Sequence, residues 1–133
     1  MKKIFSVEAL TKIISKQKAK GKKIVLCHGT FDLLHIGHIK HFKEAKTLGN
    51  KLIVTITSDK YVNKGPKRPA FNEKYRLEAV ASLNDVDFVA LSEHPSAVQV
   101  IKKLRPHIYC KGPDYKNHKN DVTGNIELEE EAV

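Results

Sequence analysis

The sequence predicts an α/β protein, a Rossmann-like doubly wound parallel sheet in a single domain. Two observations carry that expectation. Short apolar runs, several rich in β-branched residues, alternate with stretches whose apolar residues recur at helical spacing, the order of β-α-β units joined by right-handed crossovers. The first of these runs, Ile24-Val25-Leu26-Cys27, leads straight into a turn dense in glycine and histidine, Gly29-Thr30-Phe31-Asp32-Leu33-Leu34-His35-Ile36-Gly37-His38. In an open α/β sheet, ligands bind in the crevice beyond the carboxyl ends of the strands. A chain of 133 residues suits one domain, taken here as 1–133.

Ser6 to Lys20 reads as an amphipathic helix that occupies most of residues 1–22. Ser6 caps it, Val7, Leu10, Ile13 and Ile14 form its apolar stripe, and Gly21 stops it. Ile24 to Cys27 is the first strand, and a helix from about His38 to Leu48 follows, closed by Gly49-Asn50. Leu52 to Thr57 is a second strand, β-branched and nearly continuous as in sheets covered on both faces. Lys60 to Ala70 contains Gly65, Pro66 and Pro69, which exclude regular structure. Its cations, among them Lys64, Lys67 and Arg68, fit either a basic loop closing over a triphosphate or an ordinary exposed loop. Asn72 to Leu83 is a helix with Asn72 as its cap. Phe88 to Leu91 is the third strand, Ser96 to Lys103 a helix stopped before Pro106, and Ile108 to Cys110 a short fourth strand. A polar loop then runs to Asp121, and Thr123 opens a last helix through Ile126, Leu128 and Ala132.

Composition narrows the function classes. With 41% hydrophobic residues the chain can build a core, and no apolar run approaches membrane-spanning length. The amino-terminal residues lack the apolar stretch of a signal peptide, so a cytoplasmic, non-membrane protein is expected. A net charge of +9 favours anionic partners. The basic stretch Lys12 to Lys23 reads as a solvated helix face. With no RNA-recognition signature and no aromatics interleaved with its basic runs, the chain does not point to nucleic acid. Cys27 and Cys110 each end a predicted strand outside any C-x-x-C pattern, and they read as free structural thiols.

The glycine-histidine turn carries the chemistry. A helix start has free N–H groups and a positive dipole end, both suited to phosphate. Gly29 lets the backbone approach a ligand with no Cβ in the way. His35 and His38 are three apart, so one helical turn places both imidazoles on one face, where they can donate to oxyanions as charge develops. The residues alone leave two other readings of the pair: a metal-binding His-x-x-His, or ordinary surface histidines. Zinc normally takes three or four protein ligands, and no Cys or Asp cluster accompanies the pair, so no metal site is assigned. Neither G-x-G-x-x-G nor a P-loop is present.

Gly29 to His38 resembles the HxGH signature of the nucleotidylyltransferase superfamily, in the Gly-Thr-Phe-Asp-Leu-Leu-His version of its cytidylyltransferase-like branch. The likeness extends from the first strand to Tyr115. It implies that Gly29, Thr30 and Phe31 line the nucleotide site, and that His35, His38 and Lys67 are catalytic and contact the nucleotide. Lys111, Gly112 and Asp114 fall in the nucleotide-side loop, while Asp32, Lys64 and Arg76 would meet the second substrate and phosphates. Lys111 to Lys116 looks most like the adenylyltransferase portion of ADP-heptose synthases, with glycerol-3-phosphate cytidylyltransferases as the near alternative.

The resemblance therefore implies transfer of a nucleoside monophosphate from ATP or CTP, accompanied by Mg²⁺, to a phosphorylated sugar or polyol with release of pyrophosphate. Relatives in this superfamily are commonly dimers, so a homodimer is an expectation. The Ser/Thr-rich segment, fifth strand and final helix of the family pattern have no counterpart after Thr123. A carboxyl-terminally truncated form, or part of a longer bifunctional protein, is expected on that ground. Two rival classes stand beside the enzyme: a non-catalytic nucleotide-binding fragment, and a basic nucleic-acid-binding protein.

Overall fold

The computed structural model describes residues 2–62 and 69–111. Lys64, Lys67, Gly112 and Asp114 lie outside them, as does the last helix expected from Thr123. Along the chain come α1 (Val7–Ala19), β1 (Ile24–Gly29), α2 (Ile36–Thr47), β2 (Lys51–Thr57), α3 (Glu73–Ala81), β3 (Phe88–Ser92), α4 (Val98–Leu104) and β4 (Ile108–Cys110). The alternation expected from the sequence is present, with one 3-10 turn among the described residues, at Asp59–Tyr61 after β2.

The four strands are parallel and ordered β3-β2-β1-β4. From β1 the chain steps outward through α2 and α3 to β3. α4 then carries it back past β1 to the opposite side, where β4 pairs with β1. That reversal puts a crevice between the carboxyl ends of β1 and β4, the switch point where ligands bind in such sheets.

Alternate residues of the strands feed two cores. Leu26, Ile53 and Ala90 pack with Leu10 and Ile14 of α1 and with Val100, Ile101 and Leu104 of α4. Val25, Cys27, Val54 and Ile56 pack with Phe42 and Ala45 of α2 and Val80 of α3. Leu10, Ile24, Leu26, Ile53 and Ile101 have no exposed surface, and burying each side chain of this size contributes about 1.5–3 kcal/mol. Asp87 fastens the far end of the sheet, its Oδ2 accepting from Leu52 N at 2.8 Å and also receiving the Lys46 ammonium.

The caps read from sequence are present: Ser6 Oγ accepts from Ala9 N at 3.1 Å, and Asn72 Oδ1 from Tyr75 N at 3.0 Å. One element was not foreseen. Ile4 bridges Val89 in parallel, with Phe5 N donating to Val89 O and Val89 N to Lys3 O, both at 2.9 Å. This strip lies along the outer edge of β3. Edge strands carry unpaired N–H and C=O groups that need such cover.

Candidate functional site

β1 runs two residues beyond the predicted end at Cys27, because His28 and Gly29 continue the ladder opposite Thr55 and Ile56. The chain then turns on Phe31, whose φ of 50° is left-handed. Such a conformation in a bulky residue costs of order 1–3 kcal/mol. Its ring is held edge-on against Phe42 and His38, at centroid distances of 5.1 and 5.6 Å. The ring folds back over Gly29, where an added Cβ would lie 2.9 Å from Phe31 Cζ.

α2 starts at Ile36 rather than His38. His35 is its cap, in extended backbone, with Nδ1 accepting from Gly37 N at 3.0 Å. His38 Nδ1 accepts from His35 N at 3.2 Å. A ring nitrogen that accepts carries no proton, so each imidazole bears its proton on Nε2. Two Nε2–H donors thus stand beside each other, ring centroids 4.0 Å apart, at the positive end of a 12-residue helix. Gly37 makes the pair possible: a Cβ there would lie 2.7 Å from His35 Cε1.

Arg76 corrects an expectation. Assigned to phosphate from the sequence, it is only 1% exposed. Nε donates to Phe71 O at 3.0 Å, Nη1 donates to Thr30 O at 2.9 Å and Thr57 O at 2.7 Å, and Nη2 pairs with Asp59 Oδ1 at 2.6 Å. The planar guanidinium fork thereby ties the ends of β1 and β2 to the start of α3. Arg76 acts on the site as a positioning residue, through the Thr30 carbonyl. Asp32, also expected to meet substrate, is equally engaged: Oδ2 accepts from Ala70 N at 2.7 Å and Oδ1 from Phe71 N at 2.9 Å. Together the two side chains set where the backbone re-enters at 70–71.

His28 was not singled out from sequence. Its Nδ1 lies 2.8 Å from Thr55 Oγ1 and its Nε2 3.4 Å from Thr57 Oγ1. Burial pushes the imidazole down to about 4, so it is neutral at physiological pH. The signal was available, because strand alternation continued past Cys27 turns residue 28 onto the same face as Leu26.

The fold therefore gathers Gly29, Thr30, Phe31, Asp32, His35 and His38 in one turn at the switch point, with Arg76 beneath it. Lys111 follows β4, which pairs with β1 as far as Cys27 opposite Cys110. Among the described residues, no group of three or more His, Cys, Asp or Glu side chains is arranged to hold a metal ion. No helix among them is long and apolar enough to cross a membrane.

Comparison with known proteins agrees with this architecture. The cytidylyltransferase-like family model matches residues 26–132. The chain is 42% identical over 115 residues to the bifunctional protein HldE of Pelobacter propionicus, covering 85% of this chain and 24% of that protein. For HldE of Aliarcobacter butzleri the identity is 39% over 123 residues, with 91% and 25% covered. The chain thus spans about a quarter of the length of the curated relatives it matches. Among solved structures, a lipopolysaccharide core biosynthesis protein from Thermoplasma volcanium superposes with a TM-score of 0.67 at 32% identity, covering 80% of this chain and 88% of that one.

Proposed function

The chain belongs to the cytidylyltransferase-like family, and from that premise we propose that it is a nucleotidyltransferase. It moves a nucleoside monophosphate from a nucleoside triphosphate to a phosphorylated sugar or polyol and releases pyrophosphate. The observation that carries this reading is the pair of Nε2–H donors on His35 and His38, fixed at the helix start by their own backbone.

In the proposed reaction, a phosphate oxygen of the acceptor attacks the α-phosphorus in line, and the bond from that phosphorus to pyrophosphate breaks. A phosphate monoester is nucleophilic enough near neutral pH to need no strong base, so positioning and charge stabilisation supply the catalysis. His35 and His38 donate to oxygens of the triphosphate as charge develops on them. The backbone of Gly29, Thr30 and Phe31 borders the nucleotide. Lys64 and Lys67 are assigned to phosphates, and Lys111, Gly112 and Asp114 to the nucleotide side. Mg²⁺ is assigned to the substrate as the ion carried by the triphosphate, since it prefers phosphate and water ligands.

A sugar 1-phosphate of heptose type with ATP is the favoured pair. Support comes from the loop Lys111 to Lys116 and from the likeness to HldE proteins and a lipopolysaccharide core biosynthesis protein. CTP with a glycerol-3-phosphate-type acceptor is the second reading, favoured by the Gly-Thr-Phe-Asp-Leu-Leu-His turn. The test is a pyrophosphate-release assay over ATP and CTP against sugar 1-phosphates and glycerol 3-phosphate. Release with ATP and a sugar 1-phosphate is expected. Nucleotide binding by calorimetry without release for any pair would replace the enzyme with a binding module.

A further inference from the structure

On the α2 side of the sheet, two thiols and an imidazole meet away from the histidine pair. Cys27 of β1 and Cys110 of β4 are register partners in adjacent parallel strands, and both are free. Their side chains enter the same core, alongside Phe42 and Ala45 of α2. Neighbouring strands lie about 4.8 Å apart, which falls inside the roughly 4.4–6.8 Å Cα separation that a disulfide spans. His41 of α2 completes the group, its Nε2 3.7 Å from Cys27 Sγ.

We infer that Cys27 and Cys110 form an oxidisable dithiol, in which a hydroperoxide reacts at Cys110 and Cys27 closes an intramolecular disulfide. The two thiols differ in the way such a division of labour requires. Cys27 is 1% exposed, whereas Cys110 is half-buried at the end of its strand. A hydrogen bond from Cys27 holds the Cys110 thiol below its ordinary acidity range, and the same contact together with burial pushes Cys27 well above it. The thiolate is the reactive form, so the accessible, more acidic Cys110 reacts first.

The Cys110 thiolate sulfur attacks one peroxide oxygen, the O–O bond breaks, and an alcohol or water leaves after taking a proton. Cys110 is then a sulfenic acid. Cys27 gives its proton to His41 Nε2, 3.7 Å away, in an imidazole that burial keeps neutral against the opposing pull of Glu44. The Cys27 thiolate attacks the Cys110 sulfur, the S–S bond forms, and the hydroxyl leaves as water, taking the proton that His41 received. Two thiols are oxidised and one hydroperoxide is reduced. The new bond joins β1 to β4 two residues before Gly29 and one before Lys111, at the floor of the switch-point crevice. This chemistry does not depend on the transfer reaction proposed above.

The experiment treats the folded protein with hydrogen peroxide, blocks remaining thiols, and maps peptides without reductant. Loss of two hydrogens and one linked pair of peptides, holding Cys27 and Cys110 of the same chain, is expected, with reversal by dithiothreitol. Cys27→Ala should instead leave a sulfenic acid on Cys110 that a 1,3-diketone reagent captures. His41→Gln should slow closure by on the order of tenfold or more, the loss of a general base, without slowing the first oxidation. Two intact thiols after peroxide, or links only between Cys110 of different chains, would overturn the inference. The wild-type map decides the matter even where Cys27→Ala does not fold.

Discussion

The backbone N–H of His35 donates to Nδ1 of His38 at 3.2 Å, so the two site histidines are locked together through the main chain and not through their outward nitrogens. His35 holds its own ring in the same way, through Gly37 N. Each residue therefore has a function in the helix start beside the one proposed for it toward an anion, and substitutions can separate them.

His38→Ala and His35→Ala should each lower turnover by about a hundredfold to a thousandfold, the usual effect of losing one donor to transition-state charge. His35→Ala should also lose a helix cap, at about 0.5–2 kcal/mol. His35→Asn restores a capping acceptor without the Nε2–H, so its urea midpoint should return toward wild type while turnover stays low. Recovery of turnover in that variant would show that the ring serves only the helix.

Gly37→Ala tests the ring position. The added methyl would sit 2.7 Å from His35 Cε1, forcing the imidazole aside, while alanine favours the helix by about 0.5–1 kcal/mol. Turnover should fall at least about tenfold, one step of 1.4 kcal/mol in barrier, while the lost cap, about 0.5–2 kcal/mol, and the helix gain largely offset each other in stability. A fully active Gly37→Ala enzyme would mean that the His35 ring need not lie where it does.

Arg76→Lys should destabilise the protein by about 3 kcal/mol or more, measured by urea unfolding, because a single ammonium cannot serve the three carbonyls, of Thr30, Thr57 and Phe71, that the buried guanidinium holds. Asp59→Asn should cost much less, since Asp59 is 38% exposed and its charge is solvated. Equal losses in the two variants would assign the effect to the ion pair instead of the carbonyls.

His28 predicts an acid-sensitive fold. Its folded value of about 4 lies below the ordinary 6.5, so between those limits the unfolded chain binds a proton that the native chain does not. Stability is full above about 6.5 and declines as pH falls toward 4, by at most about 1.4 kcal/mol per pH unit for this group. His41, lowered by burial as well, contributes with the same sign. His28→Gln should flatten the dependence measured by denaturant unfolding. An unchanged slope would place the acid sensitivity elsewhere.

Features with local causes were legible in the sequence. β-branched runs marked β1 and β2, and Ser6 and Asn72 announced α1 and α3 because a side-chain oxygen three residues before a free N–H is a short-range device. The start of α2 was placed late because histidine is not an ordinary cap, although an unprotonated Nδ1 accepts as a carboxylate does. Arg76 was assigned to phosphate through the family resemblance, whereas three of its four partners are carbonyls, which every residue has and no sequence pattern reveals. Pairing of residues 3–5 with β3 depends on contacts from the other end of the sheet. The crevice was legible as a turn, but its support by Asp32 and Arg76 was not.

The strip along β3 also bears on how the molecule is made. Lys3 Nζ donates to Leu83 O, 80 residues further along the chain, and its carbonyl accepts from Val89 N. During synthesis at about 5–20 residues per second, Lys3 waits on the order of ten seconds before that partner is made. Ile4 and Phe5 cannot pair with β3 until then. The seam between residues 3–5 and β3 therefore closes only after β1 and β2, which lie between them in the chain, have been made.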